Sequence, residues 1–403
     1  MKGSQGGLLE DDAALDRFDG PELVSRAKAA NLRGRGGGWF PAGRKWHAVR
    51  VEEGDPMVIA NGAEGEPGSI KDRYVMTRRP SDVVRGLALA ARAVGAREAV
   101  VFLKGSFDAP AAALEEALAR SRPDGLQVSI RRGDDGYITG EETAVLETLE
   151  GRRPWPRPKP PLPVAVGLHG RPTLVQNVET LARVPAALAD PEGFRRSETT
   201  LVSLWGDVRR AGVYEVPLGT PIARLIDEQG QGAPDGVSLV FPSSSAAPPL
   251  LADQLDTPLD PDALRGAGSA LGTASVLVVG ASASPISVAA SLARFFEREA
   301  CGQCPPCTMG TSSLARIVRA VGAGEARPRD LANLADVAGF MSAHGYCAHC
   351  RTAAAAVTGL IARCRPDVAA HLEGRPRDYA RHPDPFAPGS PERAAIEAAL
   401  AGA

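Results

Sequence analysis

Near the C-terminal end the chain reads Cys301-Gly302-Gln303-Cys304-Pro305-Pro306-Cys307, and a further thiol follows at Cys347. Three thiols two residues apart reach one compact centre, and a fourth from a distant segment can close its coordination shell, as a cubane iron–sulfur cluster requires. The chemistry implied is electron transfer. All six cysteines fall between 301 and 364, which argues against thiols scattered through a core. Disulfides fit poorly: oxidised scaffolds are much shorter, and Met1-Lys2-Gly3-Ser4-Gln5 lacks the apolar stretch of an export signal. Zinc is the competing reading. Cys304-x-x-Cys307 and Cys347-x-x-Cys350 make a pair of pairs, although the gap exceeds the usual ribbon spacing and Cys301 is left without a role.

The second group of residues suited to chemistry is Arg33-Gly34-Arg35-Gly36-Gly37-Gly38-Trp39-Phe40-Pro41, with Lys45 close behind. Glycines let backbone amides approach a phosphate, and Lys45 adds positive charge. The stretch is neither a Rossmann fingerprint nor a Walker loop. Taken alone it reads better as a flexible turn. Two acidic segments accompany it. Asn61-Gly62-Ala63-Glu64-Gly65-Glu66 follows an apolar run, where open α/β sheets place ligands. Gly136-Tyr137-Ile138-Thr139-Gly140-Glu141-Glu142-Thr143 opens a helical pattern, where carboxylates also serve as simple caps.

Regular elements must hold these groups. Strand-like runs at 56–60, 99–103 and 126–130 alternate with helical patterns beginning near Ser81 and Asp108, which predicts a mostly parallel sheet with helices packed on it. Arg152 to Pro163 is a proline-rich connector, read as a stiff surface loop. Residues 200–280 predict a small α+β module with four strands, and from 286 onward the periodicity is helical. Net charge of −2 with 23% charged residues excludes a global field for nucleic acid or membrane. No apolar run reaches the roughly 18 residues needed to span a bilayer. Free thiols without an export signal point to the cytoplasm.

Taken together and in order, these motifs resemble the flavin- and NADH-binding (51 kDa-type) subunit of respiratory complex I, shared with NAD-reducing hydrogenases and NAD-dependent formate dehydrogenases. The resemblance runs from about Asn31 past Cys347, with a further landmark at Gln176-Asn177-Val178-Glu179-Thr180. It implies an α/β multidomain fold: a Rossmann-like FMN/NADH domain (1–195), a ubiquitin-like β-grasp module (196–282) and a helical [4Fe-4S] domain with a C-terminal tail (283–403). It implies FMN contacts at Gly34, Gly36, Gly37, Lys45, Asn61, Glu64 and Asn177. Gly140, Glu141 and Glu142 would lie between flavin and nicotinamide nucleotide, the two glutamates at the reacting centre. Phe40, Glu66 and Lys159 fall on the nucleotide side, and Cys301, Cys304, Cys307 and Cys347 are the cluster ligands. The activity implied is that of an NADH dehydrogenase or diaphorase: hydride from NADH to FMN, then single electrons through the cluster to a ferredoxin-like carrier or a [2Fe-2S] thioredoxin-like partner subunit in a larger redox complex. Glu142 is expected to repel a 2′-phosphate and so favour NADH over NADPH. The chain departs from the family pattern at Ala63, where an aspartate is usual, and at Ala48 and Leu162, where aromatics are usual. It has Ser243-Ser244 in place of glycines, and Cys350 is extra. These departures predict weakened dinucleotide binding. They leave two alternatives, a flavin and cluster relay without its own NADH oxidation and a zinc-bearing interaction protein.

Overall fold

Strands β1 (Met57–Asn61), β2 (Glu98–Lys104), β3 (Gln127–Gly133) and β4 (Thr173–Asn177) form an all-parallel sheet in the order β3-β2-β1-β4. These are features of a computed structural model that describes residues 15–121, 123 and 125–402; the expectation about residues 1–5 lies outside them. β1 and β2 are nearly unbroken apolar runs because helices cover both faces of the sheet. On one face Val58, Ala60 and Val101 pack with the helices Gly20–Ala29, Ala42–Arg50, Pro80–Val94 and Val178–Ala189. On the other, Ile59, Val100, Phe102 and Val175 meet Val145 and Leu146 of the helix Glu142–Leu149. The chain leaves β1 toward β2 and β3, then returns to its other side at β4. The crevice at the carboxyl ends of β1 and β4 is therefore the point where the strand order reverses, the usual ligand position in such sheets.

A second sheet follows: β5 (Thr199–Gly206), β6 (Gly212–Pro217), β7 (Val237–Phe241), β8 (Leu250–Leu251) and β9 (Ser275–Gly280), in the order β6-β5-β9-β7-β8. Its central pair, β5 and β9, is parallel and the other pairings are antiparallel. Counted within the module, this is the 2-1-5-3-4 order of a ubiquitin-like β-grasp. A helical turn at Ile222–Gln229 supplies Ile222, Leu225 and Ile226 to its core.

The C-terminal region is helical: Pro285–Arg298, Pro305–Gly322, Pro328–His344, Ala348–Arg363 and Arg365–Leu372. The segment beyond them does not trail into solvent. Arg381 makes two 2.7 Å contacts with Asp207 of the β-grasp module, and Arg73 of the first domain meets Glu397 of the last helix, Pro391–Gly402, at 2.6 Å. No helix among the described residues is long and apolar enough to cross a membrane.

Candidate functional site

Asn61 and Asn177 are the last residues of β1 and β4 and are register partners, so the sheet sets both amides at the switch point. Asn61 donates to Gly140 O at 2.9 Å and accepts from Ala63 N–H at 3.1 Å. Asn177 caps the helix Val178–Ala189 and donates to Asp72 at 2.7 Å. Above them the glycine stretch closes down: a Cβ on Gly36 would lie 3.2 Å from Asn177 Cβ, and Gly37 holds φ +106°, a conformation that suits glycine. Beneath, Arg35 is buried and ion-paired to Glu198 at 2.6 Å, while Lys71 contacts Asp72 at 2.7 Å and Glu179 at 3.0 Å. Lys71 and Asp72 were not singled out from sequence, and Glu179 was named only as part of the Gln176–Thr180 landmark. Charged side chains standing next to one another in a buried stretch were the available signal.

Two adjoining cavities open at this point, and Gly36, Asn61, Gly140, Glu141, Asn177 and Ala348 line both. The outer cleft, about 580 Å³, is lined by Gly34, Phe40, Lys45, Ala48, Glu142, Lys159 and Leu162, among others. The structure thus brings most of the expected flavin and nucleotide residues together. Phe40 and Leu162 are half exposed (51% and 50%) and Ala48 lies on the same wall, so the positions expected to lack aromatic rings do share one surface. Trp39 borders the same cleft but is only 7% exposed: most of it is turned into the β-grasp core, where it donates to Gly272 O at 2.7 Å.

Glu142 sits between Lys45 at 3.0 Å and Lys159 at 2.7 Å. Burial works against its ionisation, but the two ammonium groups outweigh it and hold the carboxyl down to about 2. Glu142 is therefore not a bare negative charge, and its expected repulsion of a 2′-phosphate is offset by two adjacent cations. Glu141 caps its own helix through Thr143 N–H and Ala144 N–H, at 2.8 and 3.0 Å, and pairs with Lys159 at 2.8 Å.

The inner chamber, about 240 Å³, runs from the asparagines toward the thiols, past Glu64, Glu66, Tyr137, Thr273 and His349. Glu64 accepts from Ser69 Oγ at 2.6 Å and Asp72 N–H at 3.0 Å, which commits its carboxylate to the start of the helix Lys71–Arg78. Glu66 accepts from Ser245 N–H at 2.8 Å and Tyr137 OH at 3.1 Å. Burial lifts it to about 7 against the pull of these donors. The Tyr137 ring lies edge-on to Phe295 and 5.6 Å from His349. Tyr137, Thr273 and His349 escaped the sequence reading. Tyr137 stands inside a motif already marked and His349 two residues after an expected ligand, whereas Thr273 arrives only because the β-grasp module folds over the chamber.

On the far side, Cys304 and Cys347 are N-cap residues of the helices Pro305–Gly322 and Ala348–Arg363, and Cys307 stands in the first turn of the former. Two helix N-termini thus point positive ends at the thiols. Cys301 is tied to the proline-rich connector by Trp155 Nε1–H, which donates to its carbonyl at 3.2 Å. The connector therefore touches both the cleft, through Lys159 and Leu162, and the thiol loop. Burial raises Cys301, and raises Cys347 to about 11 despite amide hydrogen bonds from His349 and Cys350. Such thiols give up their protons to a soft metal centre rather than standing as free thiolates. Among the described residues no three of His, Cys, Asp and Glu converge as closely as one ion demands. Cys350 is fully buried and its Sγ–H donates to Met341 O at 3.3 Å.

Comparison with known proteins agrees with this geometry. Residues 27–186 match the Nuo51 FMN-binding domain, and residues 287–371 match the NADH-ubiquinone oxidoreductase-F iron-sulfur binding region. The chain is 36% identical over 384 residues to the F 2 subunit of the NADH-quinone oxidoreductase of Rhizobium meliloti (strain 1021), covering 90% of this chain and 91% of the relative. It is 35% identical to the mitochondrial NADH-ubiquinone oxidoreductase 51 kDa subunit of Neurospora crassa, covering 89% and 78%. An NAD+-reducing [NiFe]-hydrogenase in the air-oxidized state superposes with a TM-score of 0.84 at 31% identity, over 98% of this chain and 68% of that one. The same enzyme in the H2-reduced state gives 0.81, and the chain spans 66% of it. The resemblance read from the motifs is borne out: the chain belongs to the family of the 51 kDa, or F-type, subunits of NADH-quinone oxidoreductases.

Proposed function

We propose that this chain oxidises NADH in the outer cleft and sends electrons one at a time through a cysteine-held cluster to a partner subunit. The observation that carries this reading is the wall the two cavities share, which runs from Gly36 of the glycine stretch to Ala348, next to Cys347. Bound FMN would supply a hydride acceptor able to release electrons singly, and a [4Fe-4S] cluster a one-electron site. The residues fit FMN: the glycine stretch lets backbone approach a phosphate, and the amides of Asn61 and Asn177 are fixed at the crevice. Lys45, Lys159 and Phe40 line the nucleotide side, with Glu141 and Glu142 held in place by the lysines. Cys301, Cys304, Cys307 and Cys347 would hold the cluster, and all four fall inside the matched iron-sulfur region. We divide the chain into units 1–195, 196–282 and 283–403, in keeping with β5 starting at Thr199 and the first C-terminal helix at Pro285.

The similar proteins are subunits of larger complexes, and we propose the same for this chain. Its partner would be a ferredoxin-like or [2Fe-2S] thioredoxin-like protein, and its compartment the cytoplasm. The reading is tested by purification without air, followed by metal and flavin analysis and addition of NADH. About four irons and one FMN per chain, with bleaching of the flavin by NADH, are expected. Bound FMN that NADH does not bleach would favour the relay reading. Stoichiometric zinc without iron would overturn the redox assignment of the cysteines.

A further inference from the structure

The charges on the wall of the outer cleft do not balance. Five of its lining side chains are charged: Arg44, Lys45 and Lys159 against Glu141 and Glu142. Lys45 pairs with Glu142 at 3.0 Å, and Lys159 pairs with Glu141 at 2.8 Å and with Glu142 at 2.7 Å. Arg44 is left over. Among the described residues its exposed guanidinium has no hydrogen-bond or ion-pair partner, and it stands 5.5 Å from the centroid of the Phe40 ring. Phe40 is itself half exposed, with Ala48 and Leu162 on the same wall, so it offers an apolar face to a flat ring. A cation beside that face is placed for an anion carried next to the ring. The planar fork of a guanidinium matches a phosphate through two parallel hydrogen bonds. The carboxylate expected to oppose such an anion, Glu142, is already offset by its two lysines.

We propose that Arg44 is a specificity-determining residue that receives the 2′-phosphate of NADPH, so that the cleft takes NADPH as well as NADH. This rests on the reading of the cleft as a dinucleotide site. The 2′-phosphate is borne on the ribose next to the adenine, whereas the pyrophosphate, which NADH shares, lies between the two nucleosides. With the base on Phe40, an anion beside the base meets Arg44. Lys159 stands on the other side, toward the inner chamber, because its partner Glu141 lines both cavities. An arginine near the adenosine ribose is a general means of accommodating a 2′-phosphate. The reaction itself is unchanged: either cofactor gives up the same hydride with its electron pair to the same acceptor and leaves oxidised, so binding alone discriminates.

The test is calorimetric titration of the anaerobically purified holoprotein with NADP+ and with NAD+, which report binding without turnover, in wild type, Arg44→Leu and Arg44→Lys. Wild type should bind NADP+ at least as tightly as NAD+. Arg44→Leu should lower the ratio of NADP+ to NAD+ affinity by about tenfold to a hundredfold, the scale of a lost hydrogen bond to a charged group. Arg44→Lys, which keeps the charge without the fork, should recover part of that ratio. An unchanged ratio in Arg44→Leu would overturn the proposal, whether both affinities fall together, as they would if Arg44 served the shared pyrophosphate, or neither falls. Wild-type protein that binds NAD+ and rejects NADP+ would overturn it too, while leaving the NADH reading intact. Wild-type protein that binds neither would overturn both.

Discussion

The outer cleft and the inner chamber share a wall, yet they treat the same side chain in opposite ways. In the cleft, Glu142 lies between Lys45 and Lys159 and is held down to about 2. In the chamber, Glu66 has only hydroxyl and amide donors around it and is lifted to about 7. From sequence, Glu66 was expected on the nucleotide side and Glu142 between flavin and nicotinamide nucleotide. The difference lies in the nearest partners: at the cleft two ammonium groups favour the charged carboxylate, whereas in the chamber Glu66 has neutral donors that do not outweigh its burial. On the proposed function, nucleotide recognition falls in the cleft, electron handling in the chamber and the cluster at the thiols beyond.

The sharpest way to break this division is to disable each end separately. Cys347→Ser should take iron from about four per chain to near zero while FMN remains, and Cys350→Ser should leave both. In the other direction, Gly36→Val forces branched carbon against Asn177, where even a Cβ would lie at 3.2 Å. It should weaken FMN binding by roughly a hundredfold, the scale of overpacking a tight contact, with iron unchanged. Flavin and metal analysis of the three variants reads all of this. Joint loss of both cofactors in either single variant would mean the two regions are not separable.

A smaller effect tests the contrast between the glutamates. The Glu66 value is raised in the fold, so its contribution to stability is whole below about 4.5 and is lost as pH rises through about 7. That interval corresponds to roughly 3 kcal/mol. Glu66→Gln keeps the donors from Ser245 satisfied and removes the titration. The variant should match wild type near pH 4.5 and exceed it increasingly toward pH 8 in chemical denaturation, by up to roughly 3 kcal/mol. A constant difference across that range would show that Glu66 is ionised in the fold. The smallest effect is in the cleft. Leu162→Phe restores a ring beside Phe40 and should tighten NADH by roughly twofold to tenfold, as titration of flavin fluorescence would measure. No change would place the stacking surface elsewhere.

Sequence legibility followed locality. β1, β2 and β3 carry their pattern within five to seven residues, and the cysteine run is a local spacing, so both were readable. β4, half of the switch point, was not read as a strand. Thr173–Asn177 is short, buried on both faces although three of its five residues are polar, and follows the proline-rich connector, so it shows no apolar/polar alternation. The pairing of Lys45 with Glu142 joins residues 97 apart, and Ser245 reaches Glu66 across 179. Which glutamate meets lysines and which meets hydroxyls is decided by the β-grasp module closing on the sheet. The fold class was therefore visible in outline and the cysteine run in its spacing, while the chamber wall of Tyr137, Thr273 and His349 was not.

The central claim is that the cleft, the chamber and the thiols form one electron path. It is tested most directly by adding NADH without air to protein holding FMN and iron, following the flavin spectrum and the low-temperature paramagnetic resonance of the same sample. The account predicts that flavin bleaching is accompanied by the signal of a reduced four-iron cluster, and that Cys347→Ser keeps the bleaching and loses the signal. Bleaching in the wild-type protein with no cluster signal at any NADH concentration, or a signal that persists in Cys347→Ser, would contradict it.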